Sequence, residues 1–188
     1  MDRATLGLRH GPRFATLVLP VLLAGLAACE APTSSAVASH ELLEMGADNI
    51  VFGMVSFMTS NGIREGRVEA DTAFMYADSA KAKLRQMRII FYDENGAERA
   101  TVTGTSGEWD RNTDRMWARG DVVLIVHADG RRIESAEIVY DPIMDEIWSD
   151  SATVQTLADG RVTRGSSFRS DMEFRNVRIE NIRGAVGR

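Results

Sequence analysis

The sequence predicts an all-β fold, a twisted antiparallel β-jelly roll or sandwich of repeated hairpin units with open ends. Turn dipeptides recur at Asn61-Gly62, Asn95-Gly96, Asp129-Gly130 and Asp159-Gly160, and successive glycines are 34, 34 and 30 residues apart. Asn-Gly and Asp-Gly accept the positive φ of tight hairpin turns, and apolar residues alternate with polar ones on both sides. Only one proline, Pro142, follows residue 49, which favours strands because proline is excluded from most ladder positions.

The first 28 residues are interpreted as a secretory signal. Arg3, Arg9 and Arg13 precede an apolar stretch, residues 14–28, which is too short to cross a bilayer as a helix. The stretch runs into Leu-Ala-Ala-Cys, residues 26–29, which resembles the lipobox of bacterial lipoproteins. The resemblance implies cleavage before Cys29, lipidation of that cysteine, and a membrane anchor made of acyl chains. The alternatives are a short membrane anchor, or an ordinary signal with an incidental cysteine.

The residues after the cleavage site predict a tether followed by one domain. Residues 29–48 begin with a small, polar, aperiodic run, which suits a flexible tether that lifts a domain off a membrane. Residues 49–183 are expected to form the β-jelly-roll domain, and residues 184–188 a tail. Cleavage would leave 160 residues with 19 basic and 26 acidic side chains, a net charge of -7.

A second marker follows the same period as the turn dipeptides. Tyr76, Trp109 and Tyr140 recur, and an aspartate directly follows the last two. Each unit also contains a β-branched run before its next turn, at residues 84–92, 116–127 and 147–157. We therefore expect eight to ten strands and essentially no helix after residue 49. The strands could form a sandwich or jelly roll with facing inner surfaces, or an open-ended stack of V-shaped layers; both leave end strands unpaired.

Composition and motif content argue against an enzyme, a metal site and a general nucleic-acid binder. One Cys and three scattered His offer no cluster with metal-ligand spacing. Residues 103–107 (TGTSG) lack the G-x-S-x-G spacing of a nucleophile elbow. A net charge of -5 does not supply the basic surface that displaces counterions from nucleic acid. We expect no catalytic residue, no metal and no cofactor.

Four stretches together resemble the LptC family, the membrane-attached periplasmic component of lipopolysaccharide export. They are residues 48–53 (DNIVFG), 69–76 (EADTAFMY), 117–123 (WARGDVV) and 133–141 (IESAEIVYD), and the likeness spans roughly residues 48–182. The family resemblance implies a twisted β-jelly roll whose apolar cleft takes lipid acyl chains from an inner-membrane ABC transporter and passes them to a β-jelly-roll bridge protein. Many members are held by a single helix, whereas this chain is expected to use Cys29, facing the periplasm from the inner rather than the outer membrane.

Two alternating aliphatic faces are the candidate lining of that groove. Ten buried methylenes of an acyl chain would contribute on the order of 8 kcal/mol. A net charge of -7 would repel a phosphorylated glycolipid, so capture is expected to depend on apolar burial. The alternative for each residue is ordinary core. The expected lining residues are Phe57, Met87, Ile89, Phe91, Val102, Val122, Leu124, Val126, Ile133, Ile138 and Val154.

The last apolar segment, residues 171–182, is expected to form an edge strand. Its alternation around Phe174, Val177 and Ile179 suits β-augmentation by the bridge protein, and the alternative is an interior closing strand. The leading hypothesis is thus a non-enzymatic lipid conduit. A different class is an envelope scaffold lipoprotein with a dry core that only pairs sheet edges, and a remote third is a hydrolase of envelope glycans.

Overall fold

In a computed structural model of the protein, the described residues fold as one antiparallel sheet of twelve strands. The structure describes residues 46–60 and 62–183, and the backbone of 185–186; no helix occurs among them. The expected signal, Cys29 and residues 30–45 of the tether lie outside the described residues. The strands are β1 (Asn49–Ser60), β2 (Ile63–Tyr76), β3 (Lys81–Tyr92), β4 (Glu98–Asp110), β5 (Arg115–Val126), β6 (Arg131–Asp141), β7 (Glu146–Ser149), β8 (Thr153–Thr156), β9 (Val162–Gly165), β10 (Ser167–Asp171), β11 (Arg178–Glu180) and β12 (Ala185–Val186).

The glycines of the four turn dipeptides join consecutive strands, as predicted. Gly62, Gly96, Gly130 and Gly160 have φ values of 81°, 81°, 67° and 84°. Each therefore adopts the left-handed conformation that glycine reaches without a Cβ clash. In the second turn, the Asp93 carboxylate accepts hydrogen bonds from two backbone N–H groups, at 2.9 Å each. The repeated unit is therefore a β-hairpin.

The aromatic marker lies at the opposite ends of these hairpins. Tyr76, Trp109 and Tyr140 lie at or next to the ends of β2, β4 and β6, immediately before the turns of residues 77–80, 111–114 and 142–145. Each turn carries one non-glycine residue with positive φ, between 51° and 55°. The two sequence markers therefore denote the two ends of each hairpin.

The long strands are all interrupted at the same level across the sheet. Between β2 and β3, for example, Ala70 pairs with Met87 and Thr72 with Arg85, so that one residue on each strand is left outside the ladder. β5 carries a β-bulge between Arg119 and Val122. We call this line of interruptions the crease. It comprises Gly53, Asp71, Gln86, Thr105, Gly120–Asp121 and Ala136.

The crease divides the single sheet into two facing layers. After β6 the division is complete: β6 pairs with β7 on one side of the crease and with the separate strand β8 on the other. Bulged strands bend and twist, which lets the two halves of one strand belong to two layers. The first layer contains residues 49–52, 72–76, 81–85, 106–110, 115–119 and 137–141 with β7, β10 and β11, and the second contains residues 54–60, 63–70, 87–92, 98–103, 122–126 and 131–135 with β8, β9 and β12.

One hydrophobic core fills the space between the layers. Phe91 of the second layer meets Tyr140 of the first, with ring centroids 5.0 Å apart. A Cβ on Gly107 would collide with the Met87 sulfur and with the Trp117 carbonyl oxygen, both on strands next to β4, so a side chain at this position would force its neighbours to move. The all-β sandwich or jelly roll expected from the sequence is confirmed. Its interior lies between two layers, and each long strand contributes one half to each layer.

The C-terminal third departs from the expected pattern. The run at residues 147–157 is broken into β7 and β8 by residues 150–152, and the described part of the chain has twelve strands instead of eight to ten. Val186 of the expected tail pairs with Val162, within the two-residue strand β12. The extra strands arise because the strand ends when the chain passes from one layer to the other, between β7 and β8. The longer strands, in contrast, cross the crease without ending.

Candidate functional site

The structure buries nine of the eleven expected groove residues in one cluster between the layers. At the centre of this cluster, Leu124 and Ile133 are fully buried. Their side chains fill the interior beside the crease, so the centre of the sandwich is packed. The nine residues are Met87, Ile89, Phe91, Val102, Val122, Leu124, Val126, Ile133 and Ile138.

Phe57 and Val154 lie elsewhere. Phe57 is 49% exposed on β1 and pairs with Arg67, on the face opposite the core. Val154 is half-buried and pairs with Glu134, while Thr153 beside it is buried. The break before β8 shifts which side chains face inward, so Thr153 is the buried residue of this strand and Val154 is not.

A cleft of about 640 Å³ opens between the layers on the side away from the crease. Its lining comes from hairpin turns of both layers and from the segment after β10. Met58, Phe91, Tyr140 and Met172 belong to the core cluster and also line the cleft, so the apolar interior reaches solvent here. The volume lies within the range of small-molecule and cofactor pockets.

The rim of the cleft is charged. Arg99 of β4 donates hydrogen bonds to the Met172 carbonyl at 3.0 Å and to the Glu173 carboxylate at 2.7 Å. These bonds connect the second layer to the turn that follows β10 in the first. Ile63 and Ile143 are exposed at the same rim. The cleft therefore combines an apolar floor, exposed aliphatic side chains and ionised groups, which is an amphiphilic surface.

Tyr140 lies on the cleft floor, where burial and nearby carboxylates act on its hydroxyl. Burial raises the pKa of the Tyr140 hydroxyl, and the nearby carboxylates of Glu65, Asp114 and Asp145 raise that pKa further. A negative field opposes formation of a phenolate. Burial and the neighbouring carboxylates therefore both favour the neutral phenol form of Tyr140.

The first strand forms a long exposed edge that sequence analysis did not assign to the site. β1 pairs only with β2 among the described residues. It exposes Val51, Phe52, Val55 and Phe57, at 38%, 56%, 56% and 49%. The Arg64 guanidinium covers the Phe57 ring at 4.2 Å. The sequence feature that could have identified this edge is the run NIVFGMVSF, which is apolar on both faces. A strand with only one face on the core would alternate between apolar and polar residues. We call this strand with its four exposed side chains the β1 edge.

The expected C-terminal edge strand is much shorter than the sequence suggested. Residues 172–176 form turns and bends, and only residues 178–180 pair with β10. Phe174 is not on the strand; it has a φ of 56° and is buried in the core at 4% exposure. Val177 and Ile179 are partly buried and pack against the core cluster. The turn forms because the Asp171 carboxylate accepts bonds from the Arg175 N–H and the Asn176 side chain.

Among the described residues, no three or more His, Cys, Asp or Glu side chains are grouped so that they could hold a metal ion. That part of the chain contains no helix of the length and apolarity needed to cross a membrane. The chemistry offered there is apolar burial in the cleft and strand pairing at the edges. These features define a β-jelly-roll protein with an open cleft between its layers and, among the described residues, a first strand that is unpaired along one edge.

The chain belongs to the LptC family. The family model "Lipopolysaccharide-assembly, LptC-related" matches residues 17–185, which confirms the resemblance seen in the sequence. A search of curated proteins gives no match. Among solved structures the chain is similar to LptH of Pseudomonas aeruginosa, described as the LptA homologous periplasmic component of the conserved lipopolysaccharide transport device. That similarity has 15% identity and a TM-score of 0.49, and it covers 62% of this chain and 82% of the other.

Proposed function

We propose that this protein is a non-enzymatic lipid-transfer component of lipopolysaccharide export, anchored through Cys29 in the inner membrane and facing the periplasm. It takes acyl chains from an inner-membrane ABC transporter and passes them to a β-jelly-roll bridge protein. The observation that carries the proposal is an apolar interior that opens at a cleft between two layers, in a chain of the LptC family.

The cleft supports acyl-chain capture for a physical reason. Met58, Phe91 and Met172 are buried core residues that also line the opening, so a chain entering there continues the core instead of resting on its surface. Each methylene removed from water contributes about 0.8 kcal/mol. Methionine side chains adapt to irregular apolar ligands. The deeper groove residues, such as Leu124, become lipid contacts in this proposal only when the layers separate.

The two ends of the sheet support two docking sites. The β1 edge directly follows the tether predicted at residues 29–48, so it is the edge nearest the expected anchor along the chain, and we assign the transporter to it. β11, with Val177 and Ile179, is assigned to the bridge protein. Both contacts would use β-augmentation, in which backbone groups of an unpaired strand bind a partner strand.

Photocrosslinking in cells tests the lipid-carrying function. Benzoylphenylalanine is placed at Ile143 on the cleft rim, and, as a matched control, at Ala158 in the exposed β8–β9 turn. The proposal expects lipopolysaccharide adducts from position 143 and none from position 158. Protein adducts alone at position 143 would replace it with the scaffold function, in which the sheet pairs its edges around a dry core.

A second pair of positions tests the docking assignment. Crosslinkers at Val55 and Arg178 are expected to give adducts to the transporter and to the bridge protein, respectively. Both side chains are exposed, so the probes leave the core intact. Adducts of both positions to the same partner would contradict the assignment of one edge to each neighbour.

A further inference from the structure

The segment after β10 carries a large buried side chain that belongs to no strand. Residues 172–176, which we call the strap, join β10 to β11. Phe174 at the middle of the strap is 4% exposed and is a member of the core cluster, whereas Glu173 and Arg175 on either side of it are exposed. Connecting segments ordinarily run over the protein surface. The strap instead inserts one aromatic ring between the layers, and we call the part of the core that this ring fills the Phe174 site.

The backbone at Phe174 has an unfavourable conformation. Its φ is 56°, a left-handed value that bulky side chains rarely adopt. The Phe174 N–H donates to the Asp171 carbonyl at 3.1 Å, and the Asp171 carboxylate accepts from the Arg175 N–H at 2.9 Å. Backbone strain of this kind persists only where the surroundings enforce it, and it clusters at ligand clamps and switch regions. The ring is therefore held by local hydrogen bonds and by its own burial, and its departure from the core relieves the strain.

The strap also connects the two layers at the cleft. Its ends continue into β10 and β11 of the first layer, and Met172 and Glu173 line the cleft. Arg99 of the second layer donates to the Met172 carbonyl at 3.0 Å and to the Glu173 carboxylate at 2.7 Å. Separation of the layers at this point breaks both bonds, because the donor and the acceptors belong to different layers. The Arg99 bonds therefore oppose movement of the strap and of the Phe174 ring that it carries.

We propose that the Phe174 site is an acyl-chain site: a lipid chain that enters at the cleft displaces the Phe174 ring, and the strap moves away from Arg99 with it. This inference rests on the proposed function and specifies where the cargo chain lies before it is handed over. Met172, two residues before Phe174, belongs to both the core cluster and the cleft lining, so the site is continuous with the opening.

Two further features favour an acyl chain at this position. A chain that replaces the ring keeps apolar area buried, whereas a vacant site would lose that contribution. The strap leads into β11, which is the edge assigned to the bridge protein. A partner bound at β11 is therefore placed to receive the chain from the Phe174 site.

Fluorine NMR on the full chain in phosphatidylcholine nanodiscs tests the displacement. 4-Fluorophenylalanine replaces Phe174, which changes the ring by a single fluorine and keeps the fold, and purified lipopolysaccharide is added. The resonance is expected to be protected from a dissolved gadolinium chelate before the addition and quenched by it afterwards. The matched control carries the label at Phe168, which is 1% exposed and lies on β10 between Ser149 and Ile179. The Phe168 label is expected to stay protected throughout.

Arg99 variants test whether the bonds to the strap control this movement. Arg99→Gln is expected to speed both uptake and release of lipopolysaccharide, read from the label at position 174, by roughly fivefold. A barrier acts in both directions, whereas a residue that only contacts the lipid changes mainly release. The charge swap Arg99→Glu/Glu173→Arg is expected to return both rates toward those of the wild type. Arg161→Gln is the control, because it removes a 2.7 Å ion pair with Asp159 in the β8–β9 turn, and it should change neither rate.

The outcomes separate this inference from the proposed function. Benzoylphenylalanine at Ile143 reports cleft occupancy in parallel samples. Lipopolysaccharide adducts at position 143 with a protected Phe174 label overturn the Phe174 site and leave lipid capture standing. Exposure of the Phe168 label together with the Phe174 label also overturns the inference, because the strap then does not move as a separate element.

The kinetic outcomes are equally specific. Unchanged rates in Arg99→Gln, or a change in release alone, overturn the role of the Arg99 bonds in holding the strap. Absence of both the adduct at position 143 and the response at position 174, while the circular dichroism spectrum stays that of a β protein, overturns the proposed function itself.

Discussion

The two ends of the sheet differ in length and in chemistry. The β1 edge is twelve residues long and exposes four large apolar side chains. The C-terminal end consists of β11, with three residues and charged side chains at Arg178 and Glu180, and of the two-residue β12. Short, charged edge strands discourage indiscriminate strand pairing, whereas a long apolar edge promotes it. This difference supports the proposed assignment of a separate partner to each end.

The interior differs between the same two regions. Between β2 and β6 the core is aliphatic and aromatic, with Leu84, Val102 and Leu124 buried. Toward the C-terminus it includes a buried polar contact, where the hydroxyls of Ser135 and Ser149 lie 2.8 Å apart. Buried hydroxyls fix one geometry because each loses free energy when its partner is displaced. The N-terminal part of the core therefore provides buried apolar area, and the C-terminal part provides a hydrogen bond that fixes how its strands pack.

Charging the β1 edge should give the largest effect. Val55→Lys/Phe57→Glu places lysine opposite Glu69 and glutamate opposite Arg67, so cross-strand pairs stay favourable and the fold is retained. We expect the transporter adduct from a crosslinker at Val51 to fall about tenfold or more, because the partner would have to bury two charges. Arg178→Glu on β11 is the control and should leave that adduct unchanged. A similar loss in both variants would erase the distinction between the ends.

Core truncations should separate the two regions by stability. Leu124→Ala removes a fully buried side chain and is expected to lower the free energy of unfolding by about 2–5 kcal/mol. Ile179→Ala, in the partly buried β11, should lower it by roughly 1–2 kcal/mol. Urea titration of both variants measures the difference. Equal losses would mean that the short C-terminal strands carry as much of the core as the long ones.

The buried hydroxyl pair should give an intermediate effect. Ser149→Ala removes the partner of Ser135 and also the acceptor of the Ser151 N–H at 3.1 Å. We expect a loss of about 1–3 kcal/mol in the free energy of unfolding. The double variant Ser135→Ala/Ser149→Ala should cost less than the sum of the two single variants, since neither hydroxyl is then left without its partner. Simple additivity in that cycle would show that the contact carries no coupling.

The smallest expected effect is a pH dependence near the β6–β7 turn. Burial alone would raise the pKa of Asp141, but hydrogen bonds from Arg115 and from the Met144 and Ile143 N–H groups outweigh it, so the pKa lies below its ordinary value of 3.8. A lowered folded-state pKa stabilises the fold above pH 3.8, and the contribution is lost as the pH falls through the folded value. Urea midpoints between pH 6 and pH 3 should therefore fall less in Asp141→Asn than in the wild type.

The exposed Asp78→Asn variant supplies the comparison for this titration. It should follow the wild-type urea midpoints at every pH. An Asp141→Asn profile that also follows the wild type would show that the Arg115 pair does not contribute to acid stability.

The turn chemistry made the fold predictable, and the crease made parts of it unpredictable. Glycines after Asn or Asp mark turns because they reach positive φ at no steric cost, and the strands follow from period-two alternation between them. Gln86 and Asp121 reach φ values of 49° and 48° inside strands, and the period-two alternation in the sequence does not mark either position.

The candidate site was predictable only where alternation holds. The buried groove residues from Met87 to Ile138 follow the pattern of β3 to β6. Phe57 has the same local pattern and lies outside, because its side chain is on the face of β1 that points away from the core. Phe174 continues the alternation of the last segment, yet Asp171 bonds to Arg175 and Asn176 and turns the chain before a strand can form. Side-chain capture of backbone groups overrides a weak periodic signal.

The crease also determines which changes in chain length the protein tolerates. In β2 the inward residues are Val68 and Ala70 before it and Ala73 after it, so even positions give way to odd ones. Loss of a single residue at Asp71 would move the side chains of one half of β2 to the opposite face of the sheet, while the other half kept its orientation. Relatives should therefore gain or lose residues in the hairpin turns, and at the crease only where neighbouring strands change together.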